Sequence, residues 1–381
     1  MAVNRLQQLH GAGQSIWLDY IDRRMLHDGE LARRIRDDAL TGMTSNPTIF
    51  EKALAEGTAY DAQLAAAPPG LTAWQLFELA ATEDVRAACD QFRDVYDRTA
   101  GADGYVSLEV APALAHDAEG SVAEAHRLWT RVGRPNLMVK VPGTPAGVRA
   151  FQRLIADGIN VNVTLLFAVE AHRRVIEGYL AGLEERVAAG RPVDRIASVA
   201  SFFVSRVDTE IDRRLDTRLA AASAPDRERL AALKGKPAVA NARIAYELFR
   251  EMFAGPRWDA LAAKGARLQR PLWASTSTKN PAYRDVMYVE QLIGPDTVNT
   301  MPPATLEAFR DHGETARTVD ADLAGAHRTV RELEAVGISL VEVTDKLLVE
   351  GLAAFSKSFD SLIAGLEGKT SRLGRELVSA K

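Results

Sequence analysis

Cysteine is nearly missing. Cys89 stands alone in 381 residues, so no disulfide can form within the chain, the usage of a reducing compartment. No apolar run approaches the roughly 18 residues that a membrane-spanning helix needs, and Met1–Gly13 has no apolar core of secretory length. Charge of one sign is not in excess either. A net charge of -4 leaves no broad basic surface for nucleic acid or an anionic membrane. A site for one small anion survives that exclusion, because a phosphate needs only one or two cations. There is no Pro- or Ser-rich linker and no repeat at a solenoid period. Hydrophobic residues at 47% and charged residues at 26% then describe an ordinary globular chain, which excludes disorder for its bulk. The expectation is a cytoplasmic protein with no membrane and no nucleic-acid partner.

What is present alternates. Short apolar runs at Ser15–Ile21, Ala39–Ser45, Tyr105–Ala111, Leu137–Val141, Ile159–Leu165, Ile196–Phe203, Pro271–Ser275 and Val298–Met301 read as eight strands. Amphipathic stretches separate nearly all of them. The longest, roughly 57–99, spaces Leu76, Leu79, Ala80 and Val85 as one helical region. The strands are continuous apolar runs, as in a parallel sheet buried on both faces. Repeated β-then-α units build either an open doubly wound sheet or a closed barrel. Asp19, Glu109, Lys140 and Asn162 each interrupt an aliphatic run, and polar groups converging from several strands favour a barrel with its site at the C-terminal face. The reading is an α/β fold, a single (β/α)8 TIM barrel domain over residues 1–381. Two segments exceed it: a charged helical excursion at about 206–240 after the sixth strand, and a helical C-terminal tail at about 304–381. Leu340, Val343, Leu347, Leu348 and Leu352 give the tail an apolar face. That face has two partners open to it, the barrel or a second subunit in a homodimer.

Lysine is scarce beside arginine, and of the ten lysines only Lys140 lies inside an aliphatic strand run. A lysine is almost never fully buried unless paired or functional. Its ammonium titrates at about 10.4 in water, and desolvation disfavours the charged form. A desolvated amine is the nucleophile that forms a Schiff base with a carbonyl. The competing reading is structural, a lysine paired with Glu109 or Asp19 to hold the barrel. Schiff-base chemistry also needs proton shuttles, and those same two carboxylates would supply them.

Three further stretches add ligand-binding groups. Asn46, in Thr44-Ser45-Asn46-Pro47, falls at the C-terminal end of a strand, where Pro47 imposes extended geometry. A plain turn is its alternative. Asn160, Asn162 and Thr164 alternate along one strand and share a face, which suits sugar hydroxyls and a held water, or else a core network. Ser201, Phe203 and Arg206 end the sixth strand, with Arg206 as a phosphate clamp. Ser275-Thr-Ser277-Thr-Lys279 follows the seventh strand, where this fold often binds phosphate.

Thr41-Gly-Met-Thr-Ser-Asn-Pro-Thr-Ile49, Leu137–Gly147 around Lys140, and Gly158-Ile-Asn-Val-Asn-Val-Thr-Leu-Leu-Phe167 resemble the signatures of the transaldolases, in their longer bacterial form. The resemblance runs from about residue 15 to about 360. It implies a class I aldolase-type barrel with neither metal nor cofactor, a transferase acting on sugar phosphates. A dihydroxyacetone unit would pass from sedoheptulose 7-phosphate to glyceraldehyde 3-phosphate, giving erythrose 4-phosphate and fructose 6-phosphate in the pentose phosphate pathway. Lys140 would be the Schiff-base lysine, and Asp19 would move the proton of the aldol hydroxyl. Glu109, through a water held by Thr164, would serve carbinolamine formation and dehydration. Asn46, Asn162 and Ser201 would bind substrate hydroxyls, Phe203 would shape the pocket, and Arg206 would hold the phosphate. Shorter members carry a second phosphate-binding arginine after the seventh strand. Here that role passes to Lys279 with Ser277 beside it, a point charge in place of a bidentate fork. Two other functions fit the same residues: a fructose 6-phosphate aldolase that releases free dihydroxyacetone, and a non-catalytic sugar-phosphate binding protein.

Overall fold

A computed structural model of the protein describes residues 4–56 and 58–373. Eight strands close into a barrel in chain order: β1 (Gln14–Asp19), β2 (Leu40–Thr44), β3 (Val106–Glu109), β4 (Leu137–Pro142), β5 (Val161–Leu166), β6 (Ser198–Phe203), β7 (Gln269–Ala274) and β8 (Thr297–Met301). Every neighbouring pair is parallel, including β8 with β1. This is a (β/α)8 TIM barrel. β2, β4, β5, β6 and β8 are buried at every position, which is why they read as unbroken apolar runs rather than alternating ones.

The strand-to-helix corner after β4 shows how the sequence builds the site-bearing end. Pro142 ends the strand and Thr144 caps the next helix, Pro145–Asp157, by accepting from the Gly147 N–H at 3.0 Å. Pro145 opens the helix with its preset φ. Gly147 is required because a Cβ there would run into the Pro142 carbonyl oxygen. The chain can therefore turn within three residues of the strand end, holding Lys140 rigidly below the barrel mouth.

One expectation needs correcting in extent. The helical region at 57–99 is three helices, Asp61–Ala66, Ala73–Gln91 and Arg93–Arg98, divided at Pro68-Pro69-Gly70 and again at Phe92; residue 57 lies outside the described residues. The connection from β6 to β7 holds four helices, Ser205–Ala221, Ala224–Leu233, Pro237–Met252 and Pro256–Ala262, more than the one a crossover needs. The tail is the helices Pro303–His312, Leu323–Ala335 and Leu340–Arg372, with 374–381 outside the described residues. Its last helix, at 33 residues about 50 Å long, packs on the chain's own barrel. It lies mainly against the helix Pro47–Glu56 and reaches β5 across the barrel mouth.

Candidate active site

The barrel opens at the C-terminal ends of its strands into a cavity of ≈ 560 Å³, within the range that holds a small ligand. Lys140 forms its floor and is 5% exposed. Register explains its partner: Glu109 on β3 stands directly opposite Lys140 on β4. The Lys140 Nζ donates to Glu109 Oε2 at 3.2 Å and to the Ser45 carbonyl at 3.3 Å. Burial raises the Glu109 carboxyl above its ordinary range, and the Lys140 charge offsets part of that rise. A carboxyl in hydrogen-bond contact with an amine is placed to exchange a proton with it. The buried-pair reading of Lys140 is thus geometrically present. Yet Lys140 also lines the open cavity, which a purely structural tie does not require.

Asp19 enters from β1. Thr44 on the paired β2 donates to its Oδ1 at 2.7 Å, and Thr44 and Thr300 Oγ1 atoms lie 2.6 Å apart. Since Thr44 has one proton and gives it to Asp19, Thr300 donates the second bond of this relay. Burial raises the Asp19 carboxyl, against the pull of Lys140, the Thr44 hydroxyl and Arg206. Thr164 sits where the β5–β6 register slips between Val163 and Leu166, and Leu165 takes a φ of 59°. A bulge of this kind re-aims a side chain. Thr164 Oγ1 lines the cavity, buried and without a hydrogen-bond partner among the described residues, a polar atom suited to a held water.

The asparagines divide. Asn46 lines the cavity, and its Oδ1 accepts from Ile49 N–H at 3.0 Å to start the helix Pro47–Glu56, which leaves its Nδ2 as the donor for a ligand. Asn162 lies beneath the cavity, not on its wall. It is fully buried, donates to Ser107 Oγ at 3.0 Å and accepts from Ser201 Oγ at 2.7 Å, so it sets the orientation of Ser201. Asn160 shares the inward face but lies at the strand's other end. There its amide ties the Pro135 and Leu137 carbonyls to the Ala197 N–H, far from any ligand.

The far wall is cationic. Arg206 occupies the first turn of the helix Ser205–Ala221, with its guanidinium 5.4 Å from the Phe203 ring centroid. Lys279 lies beyond β7 and donates to Ser277 Oγ at 2.7 Å. Burial lowers both cations, and Arg206 lowers Lys279 further by repulsion. Among the described residues neither forms an ion pair. A partly buried Arg206 and an exposed Lys279, close enough to repel and with no ion pair among the described residues, are complementary to a dianion.

Comparison with known proteins follows the same residues. A family model described as Transaldolase/Fructose-6-phosphate aldolase matches residues 16–366. The chain belongs to that family. A Transaldolase 2 of a Nostoc species is 47% identical over 378 residues, covering 98% of this chain and 99% of its own length. A Transaldolase of Thermobifida fusca is 50% identical over 360 residues, with 94% and 96% covered. A Transaldolase 1 of Streptomyces avermitilis is 49% identical over 363 residues, with 95% and 94% covered.

Lining side chains of this transaldolase/aldolase-family cavity that escaped the sequence reading include Thr44, Thr300 and Phe355. Thr44 and Thr300 hold Asp19 but sit in ordinary strand runs. Phe355 comes from the final helix, and its ring centroid is 5.7 Å from Lys140 Nζ. Its only sequence signal was an aromatic pair with Phe359 one helical turn on, which a core helix would show as well. Among the described residues no three His, Cys, Asp or Glu side chains converge in a way that would hold a metal ion, and no helix is long and apolar enough to cross a membrane.

Proposed function

We propose that this chain is a transaldolase whose Lys140 carries a dihydroxyacetone unit from one sugar phosphate to another. Sedoheptulose 7-phosphate would be the donor and glyceraldehyde 3-phosphate the acceptor, with erythrose 4-phosphate and fructose 6-phosphate as products. One observation carries the reading: a buried lysine flanked by two raised carboxyls lies at one side of a cavity, and two cations with no ion pair among the described residues lie at the other. A ketose phosphate has a carbonyl and a dianion at opposite ends of one chain, and it satisfies both walls.

The steps follow from the groups. Lys140 Nζ adds to the C2 carbonyl, and the carbinolamine loses water with Glu109 passing the proton through a water on Thr164. Asp19 takes the proton of the C4 hydroxyl. The C3–C4 bond breaks, its electron pair moves into the iminium, and the aldose phosphate leaves an enamine on Lys140. The enamine carbon then attacks the acceptor aldehyde and Asp19 returns its proton to the new hydroxyl. Water on Thr164 finally hydrolyses the product iminium. Asn46 and Ser201 hold hydroxyls along the chain, Asn162 steadies Ser201, Phe203 shapes the wall, and Arg206 with Lys279 and Ser277 grips the phosphate.

The family also contains fructose 6-phosphate aldolases, and products separate the two activities. Fructose 6-phosphate with erythrose 4-phosphate should give sedoheptulose 7-phosphate and glyceraldehyde 3-phosphate. Free dihydroxyacetone as the main product would refute the transferase reading. We place the protein in the cytoplasm on its lone, buried Cys89. We treat residues 1–381 as one working unit. The tail's apolar face is spent on its own barrel, so the tail is no longer a reason to expect a homodimer.

A further inference from the structure

The helix Leu340–Arg372 crosses the barrel mouth as a strap, and several contacts seat it there. Gly351 rides over Leu165, so close that a Cβ at Gly351 would lie 3.0 Å from Leu165 Cδ2. Leu165 is the positive-φ residue beside Thr164, so the bulge that presents Thr164 to the cavity also receives the strap. Thr48 Oγ1 donates to Ser358 Oγ at 2.8 Å. Phe359 packs edge-on against Trp74 and Phe77, with centroids 5.1 and 6.0 Å away. Phe355, one turn before Phe359, is the residue this seat delivers to the cavity, with its ring toward Lys140 Nζ at 5.7 Å. A phenyl ring makes no hydrogen bond to a sugar hydroxyl. What it contributes beside an amine is excluded water and a weak attraction for a cation.

Those two contributions matter at one moment of the reaction. The enamine on Lys140 has two fates. It can attack the acceptor aldehyde, forming a carbon–carbon bond while the aldehyde oxygen takes a proton. Or its nucleophilic carbon can take a proton from water, after which water adds to the resulting iminium at C2. The carbon–nitrogen bond then breaks, dihydroxyacetone leaves and the amine is regenerated. The hydrolytic water of the productive cycle needs only the single place beside Thr164 and Glu109. Protonation at carbon is favoured by any additional water that reaches the enamine.

We propose that Phe355 is the cap that keeps bulk water off the enamine at Lys140 and so commits the dihydroxyacetone unit to transfer rather than release. The proposal rests on the Schiff-base reading of Lys140. Its test uses the full chain and the variants Phe355→Ala and Phe355→Leu, with fructose 6-phosphate as donor. Release of dihydroxyacetone is measured without acceptor, and transfer is measured with erythrose 4-phosphate. The ratio of release to transfer should rise about tenfold in Phe355→Ala, a barrier difference of about 1.4 kcal/mol, and less in Phe355→Leu, which still fills part of the space. A ring that serves only to seat the helix would lower both rates and leave their ratio unchanged, and that result overturns the proposal. Should the alanine variant not fold, the leucine variant's ratio decides by the same criterion. Borohydride trapping of the wild-type chain keeps the two failures apart. With a Lys140 adduct and a flat ratio, only the role of Phe355 falls; without the adduct, the Schiff base falls and takes the cap with it.

Discussion

Replacing Arg206 by methionine should weaken sugar-phosphate binding without destabilising the fold. Methionine keeps the aliphatic stem that packs beside Phe203 and removes the guanidinium. In the ligand-free protein that guanidinium is desolvated, has no ion pair among the described residues, and repels Lys279. Its favourable interactions are the Phe203 ring at 5.4 Å, worth about 0.5–1 kcal/mol at an exposed site, and the attraction of the Asp19 carboxylate. The losses and gains nearly cancel, so the urea midpoint should stay close to wild type or rise. Binding is different. A charge-assisted hydrogen bond to phosphate contributes about 1.5–3 kcal/mol, so losing one should raise KM for fructose 6-phosphate about 10- to 100-fold. Unphosphorylated fructose offers no such bond, and its kcat/KM should hardly change. Lys279 also loses its repulsive neighbour and should titrate higher in the variant. The assay is steady-state transfer with both donors, alongside a urea titration. An unchanged KM for the phosphorylated donor, or a large loss of stability, would refute the clamp.

Two other substitutions test the scaffold. His172 is fully buried and burial lowers it to about 4. The Ala245 backbone comes near, yet neither ring nitrogen makes a hydrogen bond of normal geometry. The unfolded chain protonates this group below its ordinary 6.5 while the folded chain does not until about 4, so stability is intact above 6.5 and is lost as pH falls through that window. His172→Leu should therefore gain about 2 kcal/mol on the wild type between pH 7.5 and pH 5; an equal gap at both pH values in urea unfolding would contradict this. Lys369 ties the end of the strap helix to the Leu54 carbonyl at 2.9 Å and to Asp61 at 2.7 Å. Lys369→Ala should cost about 1–3 kcal/mol, and a melting curve that superimposes on wild type would show the tie to be idle.

Local pattern carried much of the reading. The eight strands were legible because parallel strands buried on both faces leave unbroken apolar runs, and Lys140, Glu109 and Asp19 stood out by interrupting them. Arg206 and Lys279 were suggested by strand order, since a barrel gathers its strand ends at one mouth, and the family resemblance gave them their role. Depth along a strand was less legible. Asn160, Asn162 and Thr164 share a face, yet one ties backbone at the bottom, one supports Ser201 from below, and one reaches the cavity. Alternation reports the face and not the height. Phe355 was invisible for a different reason. It lies more than two hundred residues from Lys140, and only the packing of Gly351 on a bulge at Leu165 aims it there.

Every step of the proposed transfer depends on a covalent link between Lys140 and the substrate. Borohydride reduction of the protein mixed with fructose 6-phosphate, followed by peptide mass spectrometry, tests it directly, with Lys140→Met as the blank. One dihydroxyacetone-sized adduct should appear on Lys140 in the wild type and none in the blank. A folded wild-type protein with no adduct, or with the adduct on another lysine, would contradict it and return Lys140 to a structural pair with Glu109.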